Sequence, residues 1–358
     1  MKVKRSFFTY FFLLLWLGIW VWFRASPMAA ERYYSRGIYP PIATIQHFVW
    51  GWIPFSAGDV LYTVAAAFAL YFAGRYFRSI WQHPLWFFGK IFRALAWVFV
   101  LFFSLWGFNY FRMPLGYDFP KKPPLTAEKL MAATDIIVQK SNDLHRELAT
   151  SDSVKVNFHY TNDAVYKLAA ACYPLDTSNL KTNNYRFPSV KPSLYSTALT
   201  YMGYSGYLNP FTNEAQVNGR MPGYATPHTA CHEIAHQMGY AAENEANYIG
   251  FVAAYRSDDP YFRYSAALFA LRQLLADVKR TDPEKYAVYI AQLNRGIFEN
   301  YTEVRRFWQQ YENKAEPVFK TAYDTFLKAN KQSQGIQSYS MTTNLLVDYL
   351  LEEKEIYK

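Results

Sequence analysis

The residue types best suited to chemistry lie in one short stretch, between Thr226 and Asn247. It contains His232-Glu233-x-x-His236. Residues four apart on a helix share a face, so the two imidazoles can hold one tetrahedral metal ion about 2.0–2.1 Å from their ring nitrogens. Glu233 lies at the adjacent angle, where its carboxylate can take a proton from a water molecule that the ion has acidified. The stretch therefore predicts a zinc site with Glu233 as general base.

A motif this short recurs by chance in unrelated chains, but two further features make it more specific here. Three of the 7 histidines in the chain gather at helical spacing: His228, His232 and His236. A second acidic cluster, with Glu243 and Glu245, follows at once. It could supply the third protein ligand that a catalytic zinc site needs in addition to water. The pattern therefore favours a metal site.

The spacing alone leaves the third ligand open between Glu243 and Glu245. A histidine six residues after His236 would indicate the metzincin pattern, but Ala242 occupies that position, which excludes that class. The Glu-Ala-Asn segment at 245–247 resembles the ligand helix of gluzincin peptidases, in which the glutamate beside the alanine binds zinc. This resemblance favours Glu245 and leaves Glu243 as the alternative. The other carboxylate would then accept a hydrogen bond from a ligand histidine.

Two more polar residues close to the motif are candidates for supporting roles. His228 lies one helical turn before His232 and points the same way, so it could donate a hydrogen bond to a substrate oxyanion. A polar residue near a helix start is the simpler interpretation of His228. Asn247 is a candidate hydrogen-bond partner of a metal ligand.

The stretch 201–218 precedes the motif and is rich in Tyr, Gly and Asn. It is predicted to form one or two short strands, with turns at the glycines and at Asn209-Pro210. In zincins an edge strand above the active-site helix binds the substrate backbone by strand addition. Tyr207 and Asn218 are therefore candidate substrate-binding residues.

The flanking sequence predicts the elements that must position these residues. Thr226 is a good N-cap, Pro227 fits the first helical position, and Gly239 predicts the end of the motif helix. A second helix beginning near Ala241 would return past the metal. Helical spacing on both sides of the short strands predicts a mainly α, α+β domain over 126–358, with a small sheet. The motif and the gluzincin resemblance imply that this domain is zincin-like and of gluzincin type.

The cysteine content permits one disulfide. Cys172 and Cys231 are the only cysteines, and a domain in an oxidising compartment could join them. Cys231 falls inside the motif helix, however, where a small buried residue is the simpler expectation.

Three apolar runs in the first 112 residues predict a multi-pass helical membrane anchor, with spans near 7–23, 57–74 and 91–110. The loop between the last two spans and the start of the last span carry four cations and no acidic residue: Arg75, Arg78, Lys90 and Arg93. The positive-inside rule then places this loop and the N-terminus in the cytoplasm. The chain is thus expected in the bacterial inner membrane, with the domain on the periplasmic face behind a Pro-rich linker at 113–125. A cleaved signal peptide is the competing interpretation of the first run, but the best cleavage point, after Ala30, matches the small-residue rule poorly.

The charge distribution supports this division of the chain. The formal net charge is +9, and residues 1–112 hold 11 Lys and Arg against 2 Asp and Glu, which leaves 26 of each for the remaining residues. All of the basicity therefore accompanies the apolar spans, where it acts as an orientation signal. This placement excludes a nucleic-acid partner and predicts the lipid bilayer as one partner.

Several segments outside the spans support a resemblance to a known family. They are 108–112 (FNYFR), 206–218 (GYLNPFTNEAQVN), 231–239 (CHEIAHQMG) and 243–250 (ENEANYIG). With the spans, they resemble a bacterial family of unknown function, DUF3810, found largely in Bacteroidetes, over essentially the whole chain. The resemblance implies a shared zincin-like site and adds no substrate.

These patterns together predict a membrane-anchored zinc metallopeptidase that acts on envelope peptides or proteins, with His232, His236 and Glu245 as ligands. The alternative is a non-enzymatic envelope protein in which the same residues form a structural metal site or a polar core. Four filled metal positions would favour the alternative, whereas an open position facing a cleft favours catalysis. Intramembrane proteolysis is disfavoured because the motif lies more than 110 residues past the last predicted span.

Overall fold

The computed structural model describes residues 2–117, 125–177, 180–181, 185–330 and 339–356. Helices make up most of this part of the chain, and the strands form two small sheets. Of the expected Pro-rich linker at 113–125, residues 118–124 lie outside the described residues. The described chain is mainly helical with a small sheet, as the sequence predicts.

The N-terminal third consists of helices. They are α1 (Lys2–Ala25), α2 (Pro27–Ala29), α3 (Tyr39–Trp50), α4 (Ala57–Arg75), α5 (Phe77–Gln82) and α6 (Pro84–Leu105), with a π-helical stretch at Ala30–Ile38 and a 3-10 turn at Gly107–Phe111. Both α4 and α6 are long and apolar enough to cross a membrane. A third crossing is added if Phe11–Ala25 and Pro27–Trp50, a pair bent by 108°, form one span. Two or three helices thus support membrane association.

The boundaries of the last span differ from the prediction. Its helix, α6, begins at Pro84 instead of near residue 91, because proline is well tolerated in the first turn of a helix, where its missing N–H is not needed. The helix ends at Leu105, and a buried 3-10 turn occupies Gly107–Phe111. The helix at the last expected span, near 91–110, is thus Pro84–Leu105, and the helix at the preceding one, near 57–74, is Ala57–Arg75.

The remaining residues form a helical domain around a three-stranded sheet. Its helices are α7 (Ala127–Leu148), α8 (Asn162–Ala171), α9 (Ser196–Met202), α10 (Thr226–Gln237), α11 (Glu243–Tyr255), α12 (Pro260–Thr281), α13 (Pro283–Gln292), α14 (Arg295–Gln309), α15 (Glu316–Ala329) and α16 (Tyr339–Ile356). Its strands are β1 (Asp176–Thr177), β2 (Leu180–Lys181), β3 (Val190–Pro192), β4 (Gly206–Asn209) and β5 (Glu214–Val217). In the larger sheet β5 is central, parallel to β3 and antiparallel to β4, and β1 pairs with β2 as a separate ribbon. The strand prediction for 201–218 is confirmed by β4 and β5.

The core of the domain surrounds α10. Helices α7, α11, α12 and α16 pack together through fully buried apolar side chains, among them Ile137, Ile249, Phe251 and Leu268. Ile234 and Ala235 of α10 are also fully buried within this cluster. Because α10 has neighbours on most of its surface, its position is fixed by packing against several elements.

A preceding turn determines the start of α10, and a glycine determines its end. Thr226 is the first helical residue and Ala225 precedes it as N-cap without a side-chain bond, so the predicted Thr226 cap was wrong. A 3-10 turn at Gly223–Ala225 leads directly into the helix and removes the need for a side-chain cap. The predicted stop at Gly239 is confirmed, since this glycine adopts φ 86° just after the helix.

The span α4 is attached directly to the sheet. The Glu214 carboxylate of β5 accepts hydrogen bonds from the backbone N–H groups of Ala57 (3.1 Å) and Gly58 (2.5 Å), at the start of α4. Lys191 of β3 forms a buried ion pair with the same carboxylate at 2.5 Å. An anion at a helix N-terminus satisfies free N–H groups and the helix dipole, so this contact fixes the N-terminal end of α4 on the domain.

Candidate metal centre

The two helices that carry the motif residues cross at a very short distance. A Cβ atom at Gly250 of α11 would lie 2.8 Å from the backbone nitrogen of His232 on α10. Only glycine therefore permits this approach. It places the first turn of α11 beside the imidazoles of α10.

Three side chains converge at this crossing. The Nε2 atom of His232 lies 3.4 Å from Glu243 Oε2, and the Nε2 atom of His236 lies 3.7 Å from Glu243 Oε1. Two ligands of a tetrahedral zinc ion with bonds of 2.0–2.1 Å lie about 3.4 Å apart. The donor set and its spacing therefore fit a zinc ion. His232, Glu233 and His236 also form a group whose potential ligand atoms all lie within 4.8 Å of one another.

Glu245, the ligand favoured by the gluzincin resemblance, faces elsewhere. Its carboxylate accepts a hydrogen bond from the Leu115 backbone N–H at 2.8 Å, and the nearby Arg112 guanidinium interacts with it electrostatically. Residues two positions apart on a helix are separated by about 200° around its axis. The first turn of α11 can therefore point only one of its two glutamates toward α10. In the structure Glu243, the alternative candidate, faces the two histidines, and Glu245 does not.

The hydrogen bonds of His236 leave its metal-facing nitrogen available. Its Nδ1–H donates to the Tyr240 carbonyl at 2.7 Å, so Nε2 carries a lone pair toward Glu243. Burial lowers the pKa of His236 to about 4, which favours the neutral form that binds metals. Burial acts to raise the pKa of Glu243, but the hydrogen bond with His232 and the charges of both histidines outweigh it and lower that pKa to about 2.

Glu233 is buried with an unused oxygen. Its Oε2 atom has no hydrogen-bond partner among the described residues, and the side chain lies beside Gly206 of β4. Burial raises the pKa of Glu233 to about 8. A divalent cation at the histidines would favour the ionised form. Because the Glu233 carboxylate lies between the candidate metal position and the edge strand β4, it can accept a proton and later return it.

His228 and Asn247 lie beside this centre. His228 stacks on Phe269 with ring centroids 3.7 Å apart, and its Nε2–H donates to the Asn247 carbonyl at 3.2 Å. Burial lowers the pKa of His228 to about 3, so the ring is neutral. Its nitrogens are not in the group formed by His232, Glu233 and His236. The Asn247 side chain lies next to His232, but neither Asn247 Nδ2 nor His232 Nδ1 has a hydrogen-bond partner among the described residues.

The edge strand β4 borders the centre. The Asn218 N–H donates to the Ser205 carbonyl at 2.9 Å, and Gly206 pairs with Val217. Hydrogen-bonded pairs alternate along antiparallel strands, so the N–H and C=O groups of Gly206 and Leu208 point to the open side of the sheet. This open edge lines the same cavity as the histidines.

The two predicted substrate-binding residues have different environments. Tyr207 lines the cavity, but its hydroxyl donates to the Asp59 carboxylate of α4. Asn218 is fully buried, and its amide donates to Thr200 Oγ1 at 2.9 Å and to the Tyr204 carbonyl at 3.1 Å. The structure thus places Asn218 within the fold, away from the cavity wall.

The cavity has a volume of about 880 Å³. Its lining includes residues that no sequence pattern indicated. Tyr323 of α15 donates its hydroxyl proton to Glu243 Oε1 at 2.6 Å. Trp106, at the end of α6, donates from Nε1 to the His236 carbonyl at 3.0 Å. Tyr323 is one of 31 tyrosines and lies 80 residues from Glu243, so no spacing in the sequence could have pointed to it.

The two cysteines are not bridged. Cys231 is buried on α10 and Cys172 follows α8 at intermediate burial, with both thiols free and next to each other. The expectation of a small buried residue at Cys231 is confirmed.

Comparison with known proteins gives a family and no activity. Neither a curated protein nor a solved structure matches the chain. Residues 34–347 match the family DUF3810, described as a protein of unknown function. The match includes α4, α6, the described strands, and the helices α10 and α11. Because it covers most of the sequence, this chain belongs to the DUF3810 family.

Proposed function

We propose that this protein is a membrane-anchored, zinc-dependent metallopeptidase that hydrolyses peptide bonds of envelope peptides or proteins. The observation that carries the proposal is the convergence of His232, His236 and Glu243 around one point on the cavity wall, with Glu233 beside it. Three protein ligands facing an open cavity are typical of catalytic zinc, whereas structural sites are closed by four. This arrangement favours catalysis over the structural alternative.

Different residues of this chain would have different roles in hydrolysis. His232, His236 and Glu243 would hold the zinc ion, which supplies Lewis acidity toward water and the scissile carbonyl. Glu233 would accept the proton of the attacking water and then pass it to the leaving amine. The outward N–H and C=O groups of Gly206 and Leu208 would align an extended substrate as an added strand. Tyr323 would fix the orientation of the Glu243 carboxylate.

The proposed setting is the bacterial inner membrane, with the domain on the outer face. α4 and α6 supply the spans, and the cations Arg75, Arg78 and Lys90 lie at the ends of these helices remote from the domain. The positive-inside rule then places those ends in the cytoplasm. Peptides and proteins of the envelope are the substrates within reach.

The proposal is tested on the full-length protein in detergent, because the spans and the domain share contacts. We expect one zinc ion per chain in the wild type and in Glu233→Gln, measured by elemental analysis. A proteome-derived peptide pool should be cleaved by the wild type, and by Glu233→Gln at a rate lower by at least about 100-fold, since general acid–base catalysis contributes 10²–10⁴. The control Glu128→Gln, at an exposed position of α7, should keep both properties.

Two results would count against the proposal in different ways. Stoichiometric zinc without cleavage of any peptide would support a structural metal site in a non-enzymatic envelope protein. Failure to bind zinc or another divalent cation would remove the metal centre itself.

A further inference from the structure

The metal centre is in direct contact with the end of a span. Trp106 follows the last residue of α6, and its indole donates to the carbonyl of the ligand His236. Phe102 of α6 and Tyr110 of the following 3-10 turn line the cavity together with His236. One wall of the proposed active site is therefore built from the outer end of a membrane-spanning helix.

The opposite wall of the cavity includes residues of the other spanning helix, α4. Tyr62 of α4 lines the cavity, and the hydroxyls of Thr63 and Tyr195 are hydrogen-bonded at 2.5 Å. Asp59 of α4 accepts from Ser193 Oγ at 2.9 Å and also from the hydroxyl of Tyr207 on the edge strand. The domain thus extends along the first two turns of α4, and the cavity lies between the outer ends of two spans.

The lengths of the helices set the level of this cavity in a bilayer. With 19 and 22 residues, α4 and α6 are about 28 Å and 33 Å long, close to the hydrocarbon thickness of about 30 Å. Tyr62 lies about 8 Å from the start of α4, and Phe102 about 5 Å from the end of α6. The cavity floor is thus level with the outer boundary of the hydrocarbon.

The helices beside the cavity expose many apolar side chains. The sides of α4 and α6 are exposed along most of their length, as at Phe68 and Phe92. The helix α15, which lines the cavity, exposes Val318 and Phe319, and its Phe326 packs on Phe102. Exposed apolar surface of this extent requires lipid or a partner to cover it. A chain entering this cavity between the spans would come from the bilayer surface.

We propose, on the basis of the metallopeptidase proposed above, that the substrate is a polypeptide itself anchored in the bilayer and cut just outside the membrane. Its anchor would lie beside α4 and α6, and its first extended residues outside the hydrocarbon would pair with β4. The cavity geometry then selects substrates by the distance of the scissile bond from the membrane.

The first test compares forms of one peptide that the wild type cleaves in the pool assay. Full-length protein in vesicles is given that sequence free, or attached to a hydrophobic helix of about 20 residues through a spacer of about 5 or about 30 residues. We expect the short-spacer form to be cleaved at least about tenfold faster than the long-spacer form, with the free peptide slowest. Phe102→Ala should reduce the short-spacer advantage several-fold. Phe92→Ala, exposed on the side of α6, is the matched control and should retain it.

The outcomes separate this proposal from the peptidase proposal. Equal rates for the free and short-spacer forms would overturn the membrane-anchored substrate and leave the peptidase intact. Absence of cleavage of every form would remove the peptidase and, with it, the substrate assignment.

A second test does not depend on activity. A fluorescent amino acid is placed at position 198, where Ala198 is exposed and lines the cavity, in protein reconstituted with brominated lipids. We expect strong quenching there and little at position 285, where Lys285 is exposed on α13, a helix that packs on α7 and α12. Equal, weak quenching at both positions would show that the cavity does not adjoin the bilayer and would overturn the proposal.

Discussion

At the scale of single residues, the rotation of α11 about its axis decides which of its glutamates faces the two histidines and is the candidate third ligand. Glu243 and Gly250 are seven residues apart and therefore share a helix face, and Ala246 lies on the same face. Gly250 and Ala246 are small, and they mark the side of α11 that packs on α10. Glu245 lies on the other side, where Arg112 and Leu115 surround it. The gluzincin resemblance matched a local tripeptide and did not include this rotation.

Replacing each glutamate by its isosteric amide tests the assignment. Glu243→Gln removes a charged ligand and should weaken zinc binding by more than about 100-fold, because even the loss of a partner of a ligand costs 10–100-fold. Glu245→Gln, the matched control, should retain one zinc ion per chain. Competition titration with a chelator measures both. A stronger loss with Glu245→Gln than with Glu243→Gln would contradict the assignment.

At the scale of elements, the crossing of α10 and α11 is what brings the ligands together. The glycine at position 250 lets the two backbones approach until a Cβ would come within 2.9 Å of the Cα of His232. Both atoms nearest to that Cβ belong to the backbone, so no side-chain rotation can relieve the contact. A wider crossing would carry Glu243 away from both imidazoles.

Gly250→Ala should therefore loosen the centre without altering any ligand. Overpacking of this kind costs about 1–3 kcal/mol, and we expect a lower melting temperature and zinc binding weaker by about tenfold or more. Calorimetry and chelator competition on the full-length protein measure the two effects. The control is Gly74→Ala on α4, where an added Cβ meets nothing within 4 Å and both values should stay near those of the wild type. Unchanged zinc affinity in Gly250→Ala would show that the helix spacing does not set the site.

At the scale of the whole molecule, the membrane part and the domain form one structure. The buried carboxylate of Glu214 joins β5 to the start of α4, and Arg112 joins the segment after α6 to the carbonyl of Gly239 at 2.9 Å. Arg112 also pairs with the buried Glu31 at 2.9 Å. The apolar N-terminal helices and the segment after α6 thus support the end of the motif helix.

Glu214→Gln tests this attachment. The amide oxygen can accept from only one of the two N–H groups of α4, because its NH2 group is a donor. Lys191 is also left buried without a counter-charge, and breaking a buried pair costs about 3–5 kcal/mol. We expect a melting temperature several degrees lower in detergent. Glu303→Gln breaks an ion pair with Lys155 of the same 2.5 Å length, but that pair is partly exposed and should cost about 1 kcal/mol or less. Equal effects of the two substitutions would show that the Glu214 contact does not hold the fold.

The end of α10 and the turns around β4 and β5 were predictable because each depends on residues adjacent in the sequence. Gly239 predicts a helix end through its freedom to adopt φ 86°, and the glycines and Asn209-Pro210 predict the turns around β4 and β5. The predicted cap at Thr226 failed because a preceding 3-10 turn had already started the helix. Helix α6 begins at Pro84, before the start expected near residue 91, because proline is well able to begin a helix.

The sequence by itself determined which residues could bind a metal, that they lie on helices, and that apolar spans precede them. Spacing along one helix fixes the relation of His232 to His236, since only the helical repeat is involved. Tertiary structure decided the rest. Glu243 faces the histidines because Gly250 sets a crossing of two helices, and Trp106 reaches His236 because a span ends there. Such contacts depend on packing between elements distant in the chain, which no local periodicity specifies.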